Sequence, residues 1–178
     1  MDQDLAKTLF SGKQISQRIK EMGQQITQDY AGKDLLMVGI LKGAVIFYGN
    51  LIKAVDLPVT MDFLMASSYG SGMVSSGNLQ IKYDLCEDVA GRDVLLVDDI
   101  VDTGLTLKAL VEEVQGRGAA SVRTCCLLDK PARRKVEIEP DYIGFEIPDM
   151  FVVGYGMDYD GKYRNLPKIS VLKPEAYQ

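Results

Sequence analysis

The chain has 178 residues, of which 47% are hydrophobic and 25% charged, and its formal net charge is −5 at pH 7. This length suits one domain that buries about 70% of the surface exposed by its unfolded chain. The acidic balance argues against a general nucleic-acid binder, which normally carries a basic surface. Because the chain has no histidine, Ser-His-Asp and Cys-His mechanisms and His-ligated zinc are excluded. Acid–base chemistry must use Asp, Glu, Lys or Tyr.

The cysteines and the apolar runs indicate where the protein works. Cys86, Cys125 and Cys126 lack metal-ligand spacing, and two of them adjoin in an apolar run, which predicts buried free thiols. The first ten residues carry no basic-then-apolar signal pattern. No apolar run approaches the roughly 18 residues of a membrane span. We therefore expect a cytoplasmic protein that contacts no membrane.

The first third of the chain predicts a helix, a strand and a second helix. The first helix ends near Ala31-Gly32, and its apolar positions recur at spacings of four, three and four: Ile15, Ile19, Met22 and Ile26. Residues 35–41 form a continuous apolar run, as expected of a strand covered on both faces. The stretch after Lys42-Gly43, "AVIFYGNLIKAV", predicts the second helix.

Two alternating stretches, residues 59–65 and 79–85, predict the strands of a long hairpin-like pair. The segment between them reads "SSYGSGMVSSGN" and covers residues 67–78. It is too long for a tight hairpin and too polar for a core. We therefore expect this segment to form a flap above one edge of the sheet.

The alternation of strands and helices continues beyond the flap. Residues 93–97 predict a buried strand, "LKALVEEVQGRG" predicts a helix closed by Gly116 or Gly118, and "SVRTCCLL" predicts the next strand. Short strands are predicted at "DYIGF", "FVVGY" and "ISVL". The sequence therefore predicts an α/β fold with a parallel sheet, whose sites lie at the carboxyl ends of the strands.

Residues 94–104 read "VLLVDDIVDTG" and place acids where a buried strand ends. Asp98 and Asp99 are expected at the carboxyl edge of the sheet, before a helix that begins near Leu107. Amide groups at a helix start form an anion site, and Gly104 allows the backbone to approach closely. A phosphate cradle beside carboxylates suits phosphoribosyl pyrophosphate, which carries phosphates, vicinal hydroxyls and a divalent cation. The simpler alternative is that Asp102 or Thr103 only caps the helix while Asp98 and Asp99 are solvated.

This stretch closely resembles the substrate-binding motif of type I phosphoribosyltransferases. Further segments are similar, in their order along the chain, to the hypoxanthine-guanine phosphoribosyltransferase family: "LKGA", "SSYG", "LLDK" and "GFEIPDMFVVGYGMDYDGKYRNL". The resemblance covers nearly the whole chain. It implies the type I phosphoribosyltransferase fold, a central parallel sheet flanked by helices in one domain over residues 1–178. It also implies a flexible flap over residues 67–78 and a small hood subdomain formed by the N-terminal and C-terminal segments.

The resemblance implies a reaction as well. A magnesium-dependent enzyme of this family transfers the 5-phosphoribosyl group from phosphoribosyl pyrophosphate to hypoxanthine or guanine, giving IMP or GMP and pyrophosphate. It acts as a homodimer or homotetramer and needs no nucleic acid. Two alternatives stay open, namely an enzyme that prefers xanthine and an RNA-binding regulator that shares the fold.

The family also implies roles for the residues around the sugar phosphate. Asp102 exchanges the proton at purine N7, and Asp98 and Asp99 engage the ribose hydroxyls, directly or through magnesium and water. The 5′-phosphate is held by Asp102, Thr103, Gly104, Leu105 and Thr106. The implied pyrophosphate-binding residues are Leu41, Lys42, Gly43, Ser68, Tyr69 and Arg164. In this family the Leu41-Lys42 peptide is expected to be cis.

The remaining implied roles concern the purine and the metal ion. Lys130 donates a hydrogen bond to purine O6, Phe151 stacks on the ring, and Val152 offers its backbone groups to the base edge. Asp158 completes the purine-binding set. The magnesium ligands implied by the resemblance are Asp98, Asp99 and Asp158.

Overall fold

Two sheets and three α-helices make up the computed structural model, which describes residues 2–68 and 79–177. The strands are β1 (Leu5–Phe10), β2 (Leu35–Ile40), β3 (Thr60–Ser68), β4 (Leu79–Tyr83), β5 (Asp93–Val101), β6 (Ser121–Asp129), β7 (Tyr142–Glu146), β8 (Val152–Val153) and β9 (Ile169–Leu172). The α-helices are α1 (Gly12–Asp29), α2 (Val45–Ile52) and α3 (Leu105–Gly116). Short 3-10 turns cover Asp2–Asp4, Pro131–Arg133 and Pro174–Ala176.

The larger sheet has the strand order β4-β3-β2-β5-β6-β7. All of its neighbouring strands are parallel except β4, which pairs antiparallel with β3. The predicted α/β fold with a central parallel sheet is therefore confirmed, and so is the long pair formed by β3 and β4. Because parallel strands point the same way, the carboxyl ends of β2, β5 and β6 meet at one edge.

Alternate residues of β2 face opposite sides of this sheet and belong to two different apolar clusters. Leu35 and Met37 pack in the cluster that includes α1 and α2. Leu36 and Val38 pack in the cluster that includes α3. All six residues of β2 are buried, and each large apolar side chain contributes about 1.5–3 kcal/mol when fully buried. The continuous apolar run thus fixes β2 in the middle of the molecule.

A capping box starts α1. The Ser11 side chain accepts a hydrogen bond from the Gln14 backbone, and Gln14 Oε1 accepts one from Ser11 N at 3.0 Å. Such an N-cap stabilises a helix by about 1 kcal/mol. The predicted apolar stripe faces the core, because Ile15, Ile19, Met22 and Ile26 are buried. The helix ends at Asp29, slightly before the predicted boundary.

The smaller sheet has the order β1-β9-β8, with both pairings antiparallel. No strand is predicted at residues 5–10, because the middle residues of β1 are exposed and show no alternation. Pairing with β9 is what makes this segment a strand. Among residues 2–68 and 79–177, no helix is long and apolar enough to cross a membrane.

The thiol prediction is correct for two cysteines and wrong for the third. Cys125 and Cys126 are buried free thiols of β6, and burial raises the pKa of both groups. Cys86 is exposed, because it follows β4 at the open margin of the sheet.

Candidate active site

The acidic motif lies at the centre of the carboxyl edge, but its secondary structure differs from the prediction. β5 continues to Val101 because β6 offers partners for its last residues, with Ile100 opposite Leu128. Asp98 and Asp99 therefore lie within the strand and not beyond its end. The helix begins at Leu105, earlier than predicted.

The start of α3 is open to an anion. Its N-cap is Gly104, which has φ +80° and makes no side-chain capping hydrogen bond. Leu105 N has only a long contact of 3.5 Å with Thr103 Oγ1. The alternative in which Asp102 caps the helix is therefore wrong, and Thr103 makes only this long contact with the helix start. This helix start borders a pocket of about 250 Å³ whose walls also include Asp98 and Leu41.

Asp98 and Asp99 are half-buried neighbours whose carboxyl groups are costly to ionise. Burial raises the pKa of Asp98 well above its usual range, and the adjacent charge of Asp99 raises it further. Burial also raises the pKa of Asp99, although Arg164 acts in the opposite direction. Removal from water disfavours a carboxylate, and a nearby cation favours it. The pair is thus suited to a bound cation.

The loop after β2 packs directly on Asp99. A Cβ atom added to Gly43 would lie 1.8 Å from Asp99 Oδ2. Gly156, with φ +104°, also packs on this loop, because a Cβ atom there would lie 2.0 Å from Gly43 O. The Leu41-Lys42 peptide is cis, as the resemblance predicts. The loop, the acid and residue 156 therefore form one closely packed stack.

Asp158 and Arg164 bind each other beside this stack. Arg164 Nη2 lies 2.7 Å from Asp158 Oδ1, and Arg164 Nη1 donates to Gly156 O at 2.7 Å. Asp158 Oδ2 accepts a hydrogen bond from Gly161 N at 2.8 Å. Each side chain fixes the other next to the acidic pair.

A larger cavity of about 720 Å³ adjoins the acidic pair. It brings together predicted site residues from four segments of the chain: Asp99, Asp102, Lys130, Phe151, Val152 and Asp158. Polar groups converging in such a cavity are typical of a small-molecule site.

Lys130 is held at the wall of this cavity by its backbone. Its N–H donates to Val101 O at 2.9 Å, which continues the pairing of β5 with β6. The residue is only 7% exposed, and burial lowers the pKa of its amino group. The nearest carboxylate oxygen is Asp149 Oδ1, at 4.0 Å from Nζ. Lys130 therefore presents a poorly solvated donor to whatever occupies the cavity.

Phe151 lines the cavity next to Val152. It is 38% exposed, and Tyr177 stacks on it with ring centroids 4.8 Å apart and planes 21° apart. Tyr159 meets Phe151 edge-on at 5.5 Å. Tyr159 and Tyr177 also pack against a small apolar cluster that includes Leu5 and Leu172. The two tyrosines thus hold the phenylalanine ring in place, and Tyr177 itself also lines the cavity.

Comparison with known proteins identifies the family. A model of the phosphoribosyl transferase domain matches residues 6–160. A hypoxanthine-guanine phosphoribosyltransferase of Streptococcus pneumoniae is 52% identical over 177 residues, which are 99% of this chain and 98% of that protein. The chain belongs to the hypoxanthine-guanine phosphoribosyltransferases. The enzyme of the same name from Bacillus subtilis is 49% identical and matches 100% of this chain.

Solved structures of this family have the same fold. A hypoxanthine phosphoribosyltransferase of Staphylococcus aureus superposes with a TM-score of 0.97 at 48% identity, covering 100% of this chain and 97% of that one. A variant of the Trypanosoma cruzi enzyme gives a TM-score of 0.94 at 40% identity. Bifunctional TilS/HprT proteins of Listeria monocytogenes are 51% identical, and the chain spans 27% of their length.

The structure places most, but not all, of the residues that the family resemblance selects. Ser68 ends β3 opposite Leu79. Tyr69 and most of the predicted flap lie outside the described residues. In the described part of the chain, no cluster of three or more Cys, Asp or Glu side chains is arranged around a metal position.

The sequence prediction missed three side chains that line the cavity, namely Arg133, Asp149 and Tyr177, and two that contact its lining residues, namely Arg134 and Tyr159. Arg133 Nε donates to Asp102 Oδ1 at 2.7 Å, and Arg134 Nη1 donates to Asp102 O at 2.8 Å. The sequence signal for the two arginines is weak, because it consists only of their position close after Lys130.

Proposed function

We propose that the chain transfers the 5-phosphoribosyl group of phosphoribosyl pyrophosphate to hypoxanthine or guanine, releasing pyrophosphate and IMP or GMP. The observation that carries this proposal is the 720 Å³ cavity, which joins an acidic pair at the sheet edge to a buried lysine and an exposed aromatic ring. Relatives with this activity in their names match the chain over nearly its full length.

The phosphate end of the site would hold the sugar phosphate mainly through its backbone. The uncapped start of α3 points amide groups at the 250 Å³ pocket, where the helix dipole favours an anion. Thr103 and Thr106 also line this pocket and would add hydroxyl donors. We assign the 5′-phosphate to residues 102–106 and the pyrophosphate to residues 41–43 with Arg164. The planar fork of an arginine can bond two phosphate oxygens at once.

We propose Mg²⁺ as the cofactor, with Asp98 and Asp99 as the acids that approach it. Magnesium in such sites is held by one or two carboxylates, water and substrate phosphates. The raised pKa values of both acids fit this assignment, because a divalent cation offsets the cost of their ionisation. Asp158 would contribute through water, since Arg164 and Gly161 already occupy its oxygens. When bound, the ion neutralises charge on the departing pyrophosphate.

The purine end would read a 6-oxopurine. Lys130 would donate to O6, and a buried donor of this kind rejects an amino group more strongly than shape alone does. The free face of Phe151 would stack on the base, and Val152 would offer backbone groups to its edge. Asp102 would take the proton from N7 as the base attacks C1 of the ribose, which is general base catalysis.

Three further parts of the proposal come from the family resemblance. Residues 67–78 would close over the site, with Ser68 and Tyr69 reaching the pyrophosphate and keeping water from the cationic transition state. The sheet of β1, β8 and β9 would be the hood of a single domain. The working form would be a cytoplasmic homodimer or homotetramer.

A spectrophotometric assay tests the proposal. The purified chain would be incubated with phosphoribosyl pyrophosphate, Mg²⁺ and one of four bases, namely hypoxanthine, guanine, xanthine or adenine. We expect nucleotide from hypoxanthine or guanine, loss of activity with a chelator and recovery with added Mg²⁺. Product with adenine alone, or with no base, would overturn the assignment. A dominant rate with xanthine would select the alternative specificity.

A further inference from the structure

Arg133 and Asp149 have no part in the proposed reaction, yet both line the 720 Å³ cavity together with Asp102. Arg133 Nε lies 2.7 Å from Asp102 Oδ1, and its Nη1 lies 3.4 Å from Asp149 Oδ2. Asp149 Oδ1 lies 4.0 Å from Lys130 Nζ. Charges of alternating sign therefore run from the proposed O6 donor to the proposed N7 proton acceptor.

The backbone that carries Arg133 is tied to the backbone of Asp102. Arg133 lies in the 3-10 turn Pro131–Arg133, and its N–H donates to Lys130 O at 3.1 Å. The next residue, Arg134, forms a buried ion pair with Asp129 and donates to Asp102 O. Lys135 N donates to Thr103 O at 2.9 Å. These contacts fix the distance from which the Arg133 side chain reaches Asp102.

A free Asp102 side chain would have to be ordered for catalysis. Asp102 follows β5 in an irregular turn, and its side chain is 39% exposed. An aspartate in this setting has several accessible rotamers, whereas a general base must stay within hydrogen-bond reach of the proton it accepts. One oxygen, Oδ1, is already engaged by the guanidinium. The contact made by Arg133 thus restrains the carboxylate and leaves Oδ2 to accept the proton of the purine.

We propose that Arg133 is a positioning residue that orients the Asp102 carboxylate toward N7 of the purine, and that Asp149 holds Arg133 in place. This inference rests on the proposed function, since only that function gives Asp102 a proton to accept. Arginine suits the task because its rigid fork can bond two carboxylates in one plane. The ion pair is half-exposed, with side-chain exposures of 45% and 39%, so it adds little to folding stability.

The test is a double-mutant cycle between Arg133→Gln and Asp102→Asn, measured with Mg²⁺ and saturating phosphoribosyl pyrophosphate. Arg133→Gln alone should lower kcat about 10- to 100-fold, the scale of a misplaced catalytic group. KM for phosphoribosyl pyrophosphate and the melting temperature should be unchanged. Because Arg133 acts through Asp102, the same substitution should cost nothing further in the Asp102→Asn background. Arg133→Lys should recover part of the rate.

Arg117→Gln is the matched control. Arg117 also bridges two acids, Asp84 and Glu113, at 2.8 and 3.0 Å, and neither acid lines the cavity. This control should keep full turnover. Should Arg133→Gln fail to fold, Asp149→Asn loosens the arginine from its other side, and its smaller loss of kcat should also vanish in the Asp102→Asn background.

Three outcomes would overturn the inference while leaving the proposed function intact. They are normal turnover in Arg133→Gln, faster turnover in it, and losses that multiply with those of Asp102→Asn. Faster turnover would mean that Arg133 obstructs the Asp102 carboxylate and does not orient it. An inactive unsubstituted chain would have a different meaning, because it would remove the proposed function itself.

Discussion

The phosphate end and the purine end of the candidate site are lined by different parts of the chain. At the phosphate end the walls are backbone and glycine, with Gly43 packed on Asp99 and Gly104 packed on the Arg134 side chain. At the purine end the walls are side chains from distant segments, such as Lys130 and Phe151. An atom added to such a glycine must displace either its loop or the side chain packed on it, whereas at the purine end one side chain can be changed at a time. Substitutions at the two ends should therefore fail in different ways.

The largest effect is expected at the purine end, from Asp102→Asn. Removing a general base typically costs about 10²- to 10⁴-fold in rate. Turnover should fall on that scale, while calorimetric binding of phosphoribosyl pyrophosphate with Mg²⁺ stays near normal, because the backbone groups proposed to hold the phosphate are unchanged. Near-normal turnover would take Asp102 out of the proton transfer.

Gly43→Ala should damage the phosphate end. The new Cβ would lie 1.8 Å from Asp99 Oδ2, so the loop or the acid must move, and a displacement of about 1 Å can cost 10²-fold in rate. We expect kcat/KM for phosphoribosyl pyrophosphate to fall about 10²-fold. Steady-state kinetics with this substrate varied will measure the loss.

Gly49→Ala is the control for that substitution. Gly49 lies in α2 with nothing within 4 Å of an added Cβ, and alanine favours a helix by about 1 kcal/mol over glycine. This variant should keep its activity and melt slightly higher. Equal losses in Gly43→Ala and Gly49→Ala would contradict the comparison between backbone and side-chain walls.

Tyr177→Ala should produce a smaller change, confined to the purine. The stack of Tyr177 on Phe151 is worth about 0.5–1.5 kcal/mol beyond area burial, or about 2- to 13-fold in affinity. KM for hypoxanthine should rise by that factor and KM for phosphoribosyl pyrophosphate should not. Tyr177→Phe keeps the ring and should behave normally. A lower KM in the alanine variant would show that Tyr177 occupies the purine face of Phe151.

The smallest expected effect is a change in melting temperature, caused by Asp98→Asn. A carboxyl group whose pKa is raised in the folded state, as for Asp98, stabilises the fold at low pH, and this contribution is lost as the pH rises through the folded pKa. Asp98→Asn should therefore raise the melting temperature of the ligand-free chain at neutral pH, by about 2–4 °C for each 1 kcal/mol. The gain should shrink toward pH 4.

The carboxyl group of Asp84 should affect folding stability with the opposite pH dependence. A hydrogen bond from Arg117 lowers the pKa of Asp84, so its contribution is present at neutral pH and is lost as the pH falls. Asp84→Asn should lower the melting temperature slightly at neutral pH, because the pair is exposed. Calorimetric scans from pH 4 to 8 will compare the two variants. A drop in melting temperature for Asp98→Asn would contradict the inference that the ionised Asp98 carboxylate destabilises the fold.

The sequence predicts the features that depend on local patterns. The apolar run of β2 gives a strand covered on both faces, and the period of α1 gives its buried stripe. The motif at residues 94–104 locates the acidic pair, although the strand extends through both acids because β6 supplies partners. A strand end is decided by its neighbours, which the local pattern does not contain.

The features that escaped prediction all depend on partners far along the chain. Arg133 meets Asp102 across 31 positions, and nothing near either residue specifies the other. Tyr177 lies in the last turn of the described chain and is placed by the pairing of β9 with β1. β1 itself has exposed residues in its middle and becomes a strand only through that pairing. Such contacts follow from the path of the backbone, not from the composition of a segment.

The smaller sheet joins both extremities of the described chain, since Leu5 lies opposite Leu172 and Phe10 opposite Ile169. Lys173 N adds a hydrogen bond to Asp4 O at 2.9 Å. Removal of β1 would therefore take away the partner of β9 and loosen the turn that carries Tyr177, whereas removal of the last residues of the described chain would delete Tyr177 itself. Either loss should weaken binding of the purine, because both take the Tyr177 ring away from Phe151.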